Sequence, residues 1–193
     1  MGTSLHTPST NPPSDDKTAF DPLDLCHRHT VLALGRLAAL ITQLLRGDPE
    51  RQAPELARSI LDHFNVEMRE HHRNEEQHVF PALAAGGDAA MSDALARLRQ
   101  DHCWIEQDWV ELAAPLDAIA NGQSWYDLDI LREGAAVFAA LCHAHVALEE
   151  SLIYPQARAA LSVEQLQSMR AALTRRGRTP GQGVDQSQPD QRA

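Results

Sequence analysis

The sequence predicts an all-α protein, an up-down-up-down four-helix bundle with a short extra helix at its C-terminal end. Apolar residues recur at three- and four-residue spacing through long segments that helix start and stop signals bound. No run of alternating β-branched or aromatic residues indicates a strand. A chain of 193 residues can bury one core. We therefore expect one domain over residues 20–176, between a disordered arm (1–19) and a disordered tail (177–193) of low hydrophobicity.

The first helix is expected to open at Asp21, with Asp21 as its N-cap and Pro22 in the first helical position. It should stop at the Gly-Asp-Pro sequence of residues 47–49, because glycine and proline end helices. Its apolar stripe is predicted to run through Leu25, Leu32, Leu37 and Leu40.

Proline, glycine and capping residues also bound the later helices. The second should run from about Pro54 to a stop at Val79-Phe80-Pro81, and the third from about Ser92 to Asn121-Gly122, with Pro115 as a kink or an early end. The fourth should end at Pro155. Ser162, followed three positions later by a glutamine, forms a capping-box pattern and predicts a short fifth helix.

Composition excludes several classes of protein. The formal charge of −10, with basic residues clustered only near 175–178, argues against a nucleic-acid partner. The three cysteines are widely spaced, which argues against a disulfide framework and against a Cys-x-x-Cys site. The polar start lacks the apolar core of a signal peptide, and we expect no bilayer-spanning stretch. These features favour a cytoplasmic protein without a membrane partner.

The two halves of the expected bundle resemble each other. The segment from His71 to Pro81 matches that from His145 to Pro155 at a constant offset of 74 residues, and both contain His-x-x-x-Glu-Glu. Upstream, His29 and His102 are 73 residues apart. The internal repeat therefore predicts two helical hairpins, each contributing one histidine from its first helix and one His-x-x-x-Glu pair from its second.

The repeated residues predict a two-metal centre. Residues four apart share a helix face, and both His-x-x-x-Glu pairs continue apolar stripes. A buried carboxylate and imidazole without compensation would cost several kcal/mol each. Two metal ions, each with two imidazoles and sharing two bridging glutamates, would compensate them, and mixed nitrogen and oxygen ligands favour iron or manganese. The predicted ligands are His29, His71, Glu75, His102, His145 and Glu149.

The histidine of the first helix has a competitor. His27 and His29 are two positions apart, so they face different sides of a helix. The repeat offset favours His29. The histidines that do not align between the halves are expected on the surface or behind the ligands; they are His63, His72, His78 and His143.

Several groups near the expected ligands have open roles. Glu76 and Glu150 follow the bridging glutamates directly, and we expect them to face solvent or to support a ligand. Glu106 lies one turn after His102, as an extra ligand or as a polar group near a water path. Cys26 and Cys142 each precede an expected ligand by three residues, and we interpret them as small apolar fillers.

The doubled motif resembles the hemerythrin-like, or HHE cation-binding, domain family over about residues 21–155. The resemblance implies two iron ions with a bridging oxo or hydroxo group, and manganese or zinc as substitutes. Its spacing is similar to that of the branch that includes di-iron proteins implicated in nitric-oxide metabolism and in repair of iron–sulfur centres. It departs from the oxygen carriers, because Glu106 stands where they have a second histidine and Glu149 follows His145 by four residues instead of an aspartate following by five. This departure argues against reversible oxygen transport.

We therefore expect a non-haem di-iron protein that binds or reacts with oxygen or nitric oxide, in sensing, detoxification or stress protection. An iron donor for repair of iron–sulfur clusters and a bundle with a purely structural metal are the alternatives. Whether the centre turns over catalytically stays open. A redox or regulatory protein partner is expected, and the chain is expected to be a monomer, with a dimer as the alternative.

Overall fold

The computed structural model describes residues 19–47, 52–86 and 88–176, without the side chains of residues 172–176. These residues form five helices and no strand. Helix α1 is Asp21–Leu45, α3 is Ala89–Ala120 and α5 is Val163–Arg176. Helix α2 is continuous through Ala53–Asp62, His63–Glu67, Met68–Asn74, Glu75–Val79 and Phe80–Ala84. Helix α4 is continuous through Leu128–Leu148, Glu149–Ile153 and Tyr154–Ala160.

The described residues leave the expected arm and tail untested. Residues 1–18 and 177–193 lie outside the described residues. Ala19 is described and buried, beside the fully buried Phe20. The domain bounds therefore stay a prediction.

Helix α1 buries a different stripe from the predicted one. It begins at Asp21 with Phe20 as N-cap, one residue earlier than expected. Leu25 and Leu32 are 44% and 57% exposed. The buried residues of this helix are Leu23, Cys26, His27, Thr30, Ala33, Leu34, Leu37, Leu40 and Ile41. The predicted stripe was thus wrong in its first half, which turns His27 and not His29 toward the interior.

Neither motif proline ends its helix, which corrects the stops predicted at Pro81 and Pro155. Both helices continue beyond them, α2 to Ala84 and α4 to Ala160. In each case the residues just before are a π-helical turn, Glu75–Val79 or Glu149–Ile153. A π turn is wider than an α turn and changes the backbone pairing there, so it accommodates a residue that lacks an N–H and crowds the preceding turn. Pro115 likewise lies inside α3 without ending it.

Side-chain caps define the starts of the later helices. The Asp88 carboxylate accepts from the Met91 amide at 3.0 Å, and the Asp127 carboxylate accepts from the amides of Asp129 and Ile130. The capping box before α5 is confirmed. The Ser162 amide donates to the Gln165 side chain at 2.9 Å, and the Gln165 amide donates back to the Ser162 hydroxyl at 3.3 Å.

The helices enclose two apolar clusters with a polar layer between them, and α5 contributes Leu166 and Met169 to one of the clusters. Helix α1 packs on α2 and α4, and α3 packs on the same two helices. One cluster contains Leu37, Phe64 and Phe138, and the other contains Phe80 and Leu98. In α2, α3 and α4 the buried residues His71, Glu75, His102, His145 and Glu149 lie in sequence between residues of one cluster and residues of the other, so these helices cross the polar layer.

One helix is long and apolar enough to span a bilayer, contrary to the expectation that no stretch could do so. Leu128–Ala160 is long and apolar enough by length and composition, with a mean hydropathy of 1.4 in its most apolar window. Core helices of bundles pass the same test. This stretch places His145 and Glu149 in the interior, both 0% exposed.

Candidate metal centre

Six side chains from four helices meet in the polar layer. They form two groups of four whose donor atoms lie within 4.8 Å of one another. Both groups contain Glu75 and Glu149, which are 0% exposed and begin the π turns Glu75–Val79 and Glu149–Ile153. The first group adds His27 and His71, and the second adds His102 and His145. The two groups contain five of the six predicted residues, with His27 in place of His29.

The first position lies between α1, α2 and α4. The Nε2 atoms of His27 and His71 are 3.0 Å apart, and His27 Nε2 is 3.1 Å from a Glu149 oxygen. His71 Nε2 is 3.4 Å from Glu75 Oε2. The donor atoms thus converge on one small volume from three helices.

The second position lies between α2, α3 and α4. His145 Nε2 is 3.1 Å from Glu149 Oε1, and His102 Nε2 is 3.7 Å from the same oxygen. His102 Nε2 is also 3.5 Å from Glu75 Oε2. Each glutamate therefore faces both positions, as a bridging carboxylate must.

His29 does not join the site, which corrects its choice over His27. Its side chain is 44% exposed, and its Nδ1 lies 2.9 Å from Glu67 Oε2. His27 is 1% exposed and lies in the first group. The two residues are two positions apart on α1, so only one of them can face the interior.

An extra residue in the first half of the bundle explains why the repeat offset did not identify the histidine of α1 that lies in the site. His27 and His71 are 44 residues apart, whereas His102 and His145 are 43 apart. Helix α2 contains a π turn, His63–Glu67, before its ligand histidine, and the matching part of α4 is α-helical throughout Leu128–Leu148. A π turn holds an additional residue, so the first half is longer by one.

Glu76 and Glu150 support ligands across the bundle. Glu76 Oε1 lies 2.8 Å from His102 Nδ1, and Glu150 Oε1 lies 3.1 Å from His27 Nδ1. A carboxylate at Nδ1 fixes the tautomer that leaves Nε2 free to bind a metal. Each half therefore orients the first-helix histidine of the other half.

Tyr154 is a site residue that the sequence reading missed. Its hydroxyl donates to Glu75 Oε1 at 2.6 Å and lies 3.2 Å from His27 Nε2, while its ring stacks on the His27 ring. Burial and the charges of Glu75 and Glu149 raise the pKa of this phenol well above its usual value, so it stays a donor. The repeat carried a signal, because Tyr154 replaces the Phe80 of the first half.

We expect Tyr154→Phe to lower the free energy of unfolding of the metal-free protein by about 1.5–3 kcal/mol, the usual effect of a hydrogen bond to a charged group. The substitution leaves a buried Glu75 oxygen without its donor. Urea denaturation measures the change. Tyr126→Phe, outside the site, is the control, and equal stability of the two variants would contradict the role of the Tyr154 hydroxyl.

The other residues considered near the ligands, Glu106, Cys142, Cys26 and His63, lie outside both donor groups. Glu106 lies outside both groups, with its exposed carboxylate 3.9 Å from Arg69. Cys142 lies in an apolar cluster, where burial raises the pKa of its thiol to about 12, so it acts as a filler. Cys26 is also buried in that cluster. His63 is buried, 2.9 Å from the Thr30 hydroxyl.

Without metal, the buried histidines and glutamates of the site shift one another's pKa values. Burial lowers the pKa of His102, but the neighbouring carboxylates of Glu149 and Glu75 outweigh it and raise the pKa to about 10. Burial likewise opposes protonation of His71, and the charge of Glu75 raises the pKa well above its usual value. Burial raises the pKa of Glu149, but the charge of His145 and three histidine contacts hold it well below its usual range. In the metal-free site these shifts favour the protonated forms of His71 and His102.

We expect the apparent metal affinity to rise steeply with pH, because a metal ion must displace those protons. Displacement of the His102 proton corresponds to roughly a tenfold gain in affinity per pH unit below its pKa of about 10, and displacement of a proton from His71, whose pKa is also raised, adds to this gain. Competition of the protein with a chelator for zinc, between about pH 6.5 and 8.5, measures the slope. An affinity independent of pH over this range would contradict the protonated state of the metal-free site.

The donor atoms fit a metal pair. Among the described residues, five of these buried atoms have no hydrogen-bond partner: Glu75 Oε2, both Glu149 carboxylate oxygens, and the Nε2 atoms of His102 and His145. Buried polar atoms are normally paired, so a group that accepts electron pairs from all of them is implied. Imidazole nitrogen and carboxylate oxygen are ligands that iron, manganese and zinc accept.

The fold and this donor set define a helical protein with buried His/Glu groups that could hold metal ions. The family model described as "Hemerythrin HHE cation binding domain" matches residues 18–157. The chain belongs to this family, which confirms the resemblance drawn from the doubled motif. Searches among curated proteins and among solved structures gave no match.

Proposed function

We propose that this protein is a non-haem di-iron protein that binds or reacts with oxygen or nitric oxide, within a bundle whose helices run up-down-up-down. The observation that carries the proposal is the sharing of Glu75 and Glu149 between two histidine pairs. A pair of iron ions held by these residues would supply a redox change and coordination positions for a small ligand. Each position has two imidazoles and two shared carboxylates, four protein groups in all.

The surrounding residues support a centre that keeps its ions. Glu75, Glu149 and His145 are each 0% exposed. An apolar cluster lies on either side of the ligand layer. A protein that donates iron to a cluster-repair partner must release its ions, which this burial disfavours. Iron donation is therefore the second candidate, and a purely structural metal the third.

The test is optical spectroscopy of protein reconstituted with ferrous iron under anaerobic conditions. Adding oxygen or nitric oxide separately should produce new absorption bands at a defined stoichiometry. Glu149→Gln, which removes a shared ligand but retains its volume, is the control and should lose the response. An iron-loaded protein whose spectrum changes with neither gas would overturn the proposal, and prompt transfer of its iron to a chelator would favour donation.

A further inference from the structure

His72 is buried but makes no hydrogen bond. Its side chain is 3% exposed, and neither ring nitrogen has a hydrogen-bond partner among the described residues. Leaving a buried imidazole unpaired costs free energy, so the position calls for an explanation. The sequence reading placed this histidine on the surface or behind the ligands, because the second half has Val146 at the matching position.

The ring of His72 lies face to face with that of His102. The two ring centroids are 3.9 Å apart and the planes differ by 13°. The donor atoms of His72, His102 and His145 lie within 4.8 Å of one another. A nitrogen binds a metal in the plane of its own ring, at about 2.0–2.1 Å. Lone pairs of nearly parallel, stacked rings do not converge on one point, so His72 is poorly placed to share an ion with His102.

His72 instead lines a cavity of about 210 Å³ between α2 and α3. The inner wall is apolar and includes Phe64, Met68 and Ile105. At the outer side, Arg69 and Glu106 form an exposed pair 3.9 Å apart. The cavity therefore connects the surface to an imidazole that contacts the second position.

The cavity beside the first position is lined by different residues at the positions that the internal repeat relates to His72 and Glu106. A cavity of about 380 Å³ adjoins His27. Its lining includes Val146 and Val31, together with the charged Arg28 and Glu150. By the internal repeat, Val146 corresponds to His72, and Val31 corresponds to Glu106 when His27 is aligned with His102. Only the cavity beside the second position therefore has the polar members of these two pairs. This difference makes the two positions unequal toward a small polar ligand.

We propose that the cavity lined by His72 is the binding space of the small exogenous ligand, and that the His72 imidazole makes a hydrogen bond to this ligand. The inference rests on the proposed function. It specifies the class as a diatomic molecule or a small linear anion, because the inner wall is apolar and a single unpaired imidazole supplies the polar contact. It also specifies the second position, beside His102 and His145, as the place of binding.

The experiment is an absorbance titration of the oxidised, iron-reconstituted protein with azide. His72→Phe keeps a buried ring and removes the nitrogens, whereas His72→Gln keeps a donor. Loss of one hydrogen bond should weaken azide binding about tenfold in His72→Phe, and His72→Gln should bind more tightly than His72→Phe. His143 is exposed, and His143→Phe should bind azide like the unchanged protein. Iron content and thermal melting are measured on every variant.

The outcomes separate the inference from the proposed function. Two irons per chain in His72→Phe, with weaker azide binding, support the inference. Unchanged azide affinity in His72→Phe overturns it while leaving the proposed function in place. A fall to one iron per chain would make His72 a ligand and also overturns it. An unchanged protein that holds iron but gives no spectral response to azide, oxygen or nitric oxide overturns the proposed function and the inference together.

Discussion

Replacing Glu149 by alanine is expected to remove both metal ions from the protein. Glu149 faces His27 at 3.1 Å and His145 at 3.1 Å, so a single side chain serves both positions. Removing a group that only orients a metal ligand costs about 10- to 100-fold in affinity. Because Glu149 is itself a candidate ligand, we expect a loss of at least about a hundredfold at each position. Metal analysis after dialysis against a weak chelator measures the loss.

Alanine variants of the two histidines on α1, His27 and His29, form a matched pair that tests which of them lies in the site. His27→Ala should weaken the first position, because His27 Nε2 lies among its donor atoms. His29→Ala should leave the metal content unchanged, because His29 is 44% exposed and contacts Glu67. Metal loss in His29→Ala together with retention in His27→Ala would mean that the register of α1 in the bundle is wrong.

The second large effect is expected on thermal stability. A ligand that binds only the folded protein, at about a thousand times its dissociation constant, adds about 4 kcal/mol, which corresponds to a Tm gain of about 10 °C for a domain of this size. The reason lies in the unpaired donor atoms of the ligand layer between the two apolar clusters. Differential scanning calorimetry of the metal-loaded and metal-free forms measures the gain at neutral pH.

The same gain should shrink as the pH falls from about 8 to about 5.5, on either side of the reference histidine pKa of about 6.5. A metal-bound imidazole stays neutral, so its contribution to stability is present above that reference value and is lost below it. In the metal-free form the His102 pKa of about 10 has the opposite effect: its contribution is fully present below the unfolded value and declines as pH rises through the folded one. A Tm difference that grows on acidification would contradict this account.

The doubled His-x-x-x-Glu motif made most of the site predictable. Spacing four along a helix determines that His71 and Glu75 share a face, and His145 and Glu149 do so in the other half. The structure brings these four residues together with His102. These predictions depended only on local helix geometry, which holds whatever the rest of the bundle does.

The site residues that were not predicted from the sequence depend on π turns within the helices and on how the helices pack against one another. The repeat offset of 74 places the counterpart of His102 at position 28, between His27 and His29. The extra residue of the π turn at His63–Glu67 moves it by one, to His27. The prolines at 81 and 155 suggested helix ends, and π turns again explain why the helices continue. Backbone pairing of this kind has no strong sequence signal. Tyr154 and His72 required the packing of α4 on α1 and of α2 on α3.

The metal content of the fully reconstituted protein tests the central claim most directly. Protein expressed without added metal is loaded with ferrous iron under anaerobic conditions, freed of loosely bound ions by gel filtration, and assayed for iron and protein concentration. Because two donor groups of four share Glu75 and Glu149, the account predicts two ions per chain. A reproducible value of one ion per chain, unchanged by excess iron, would contradict it.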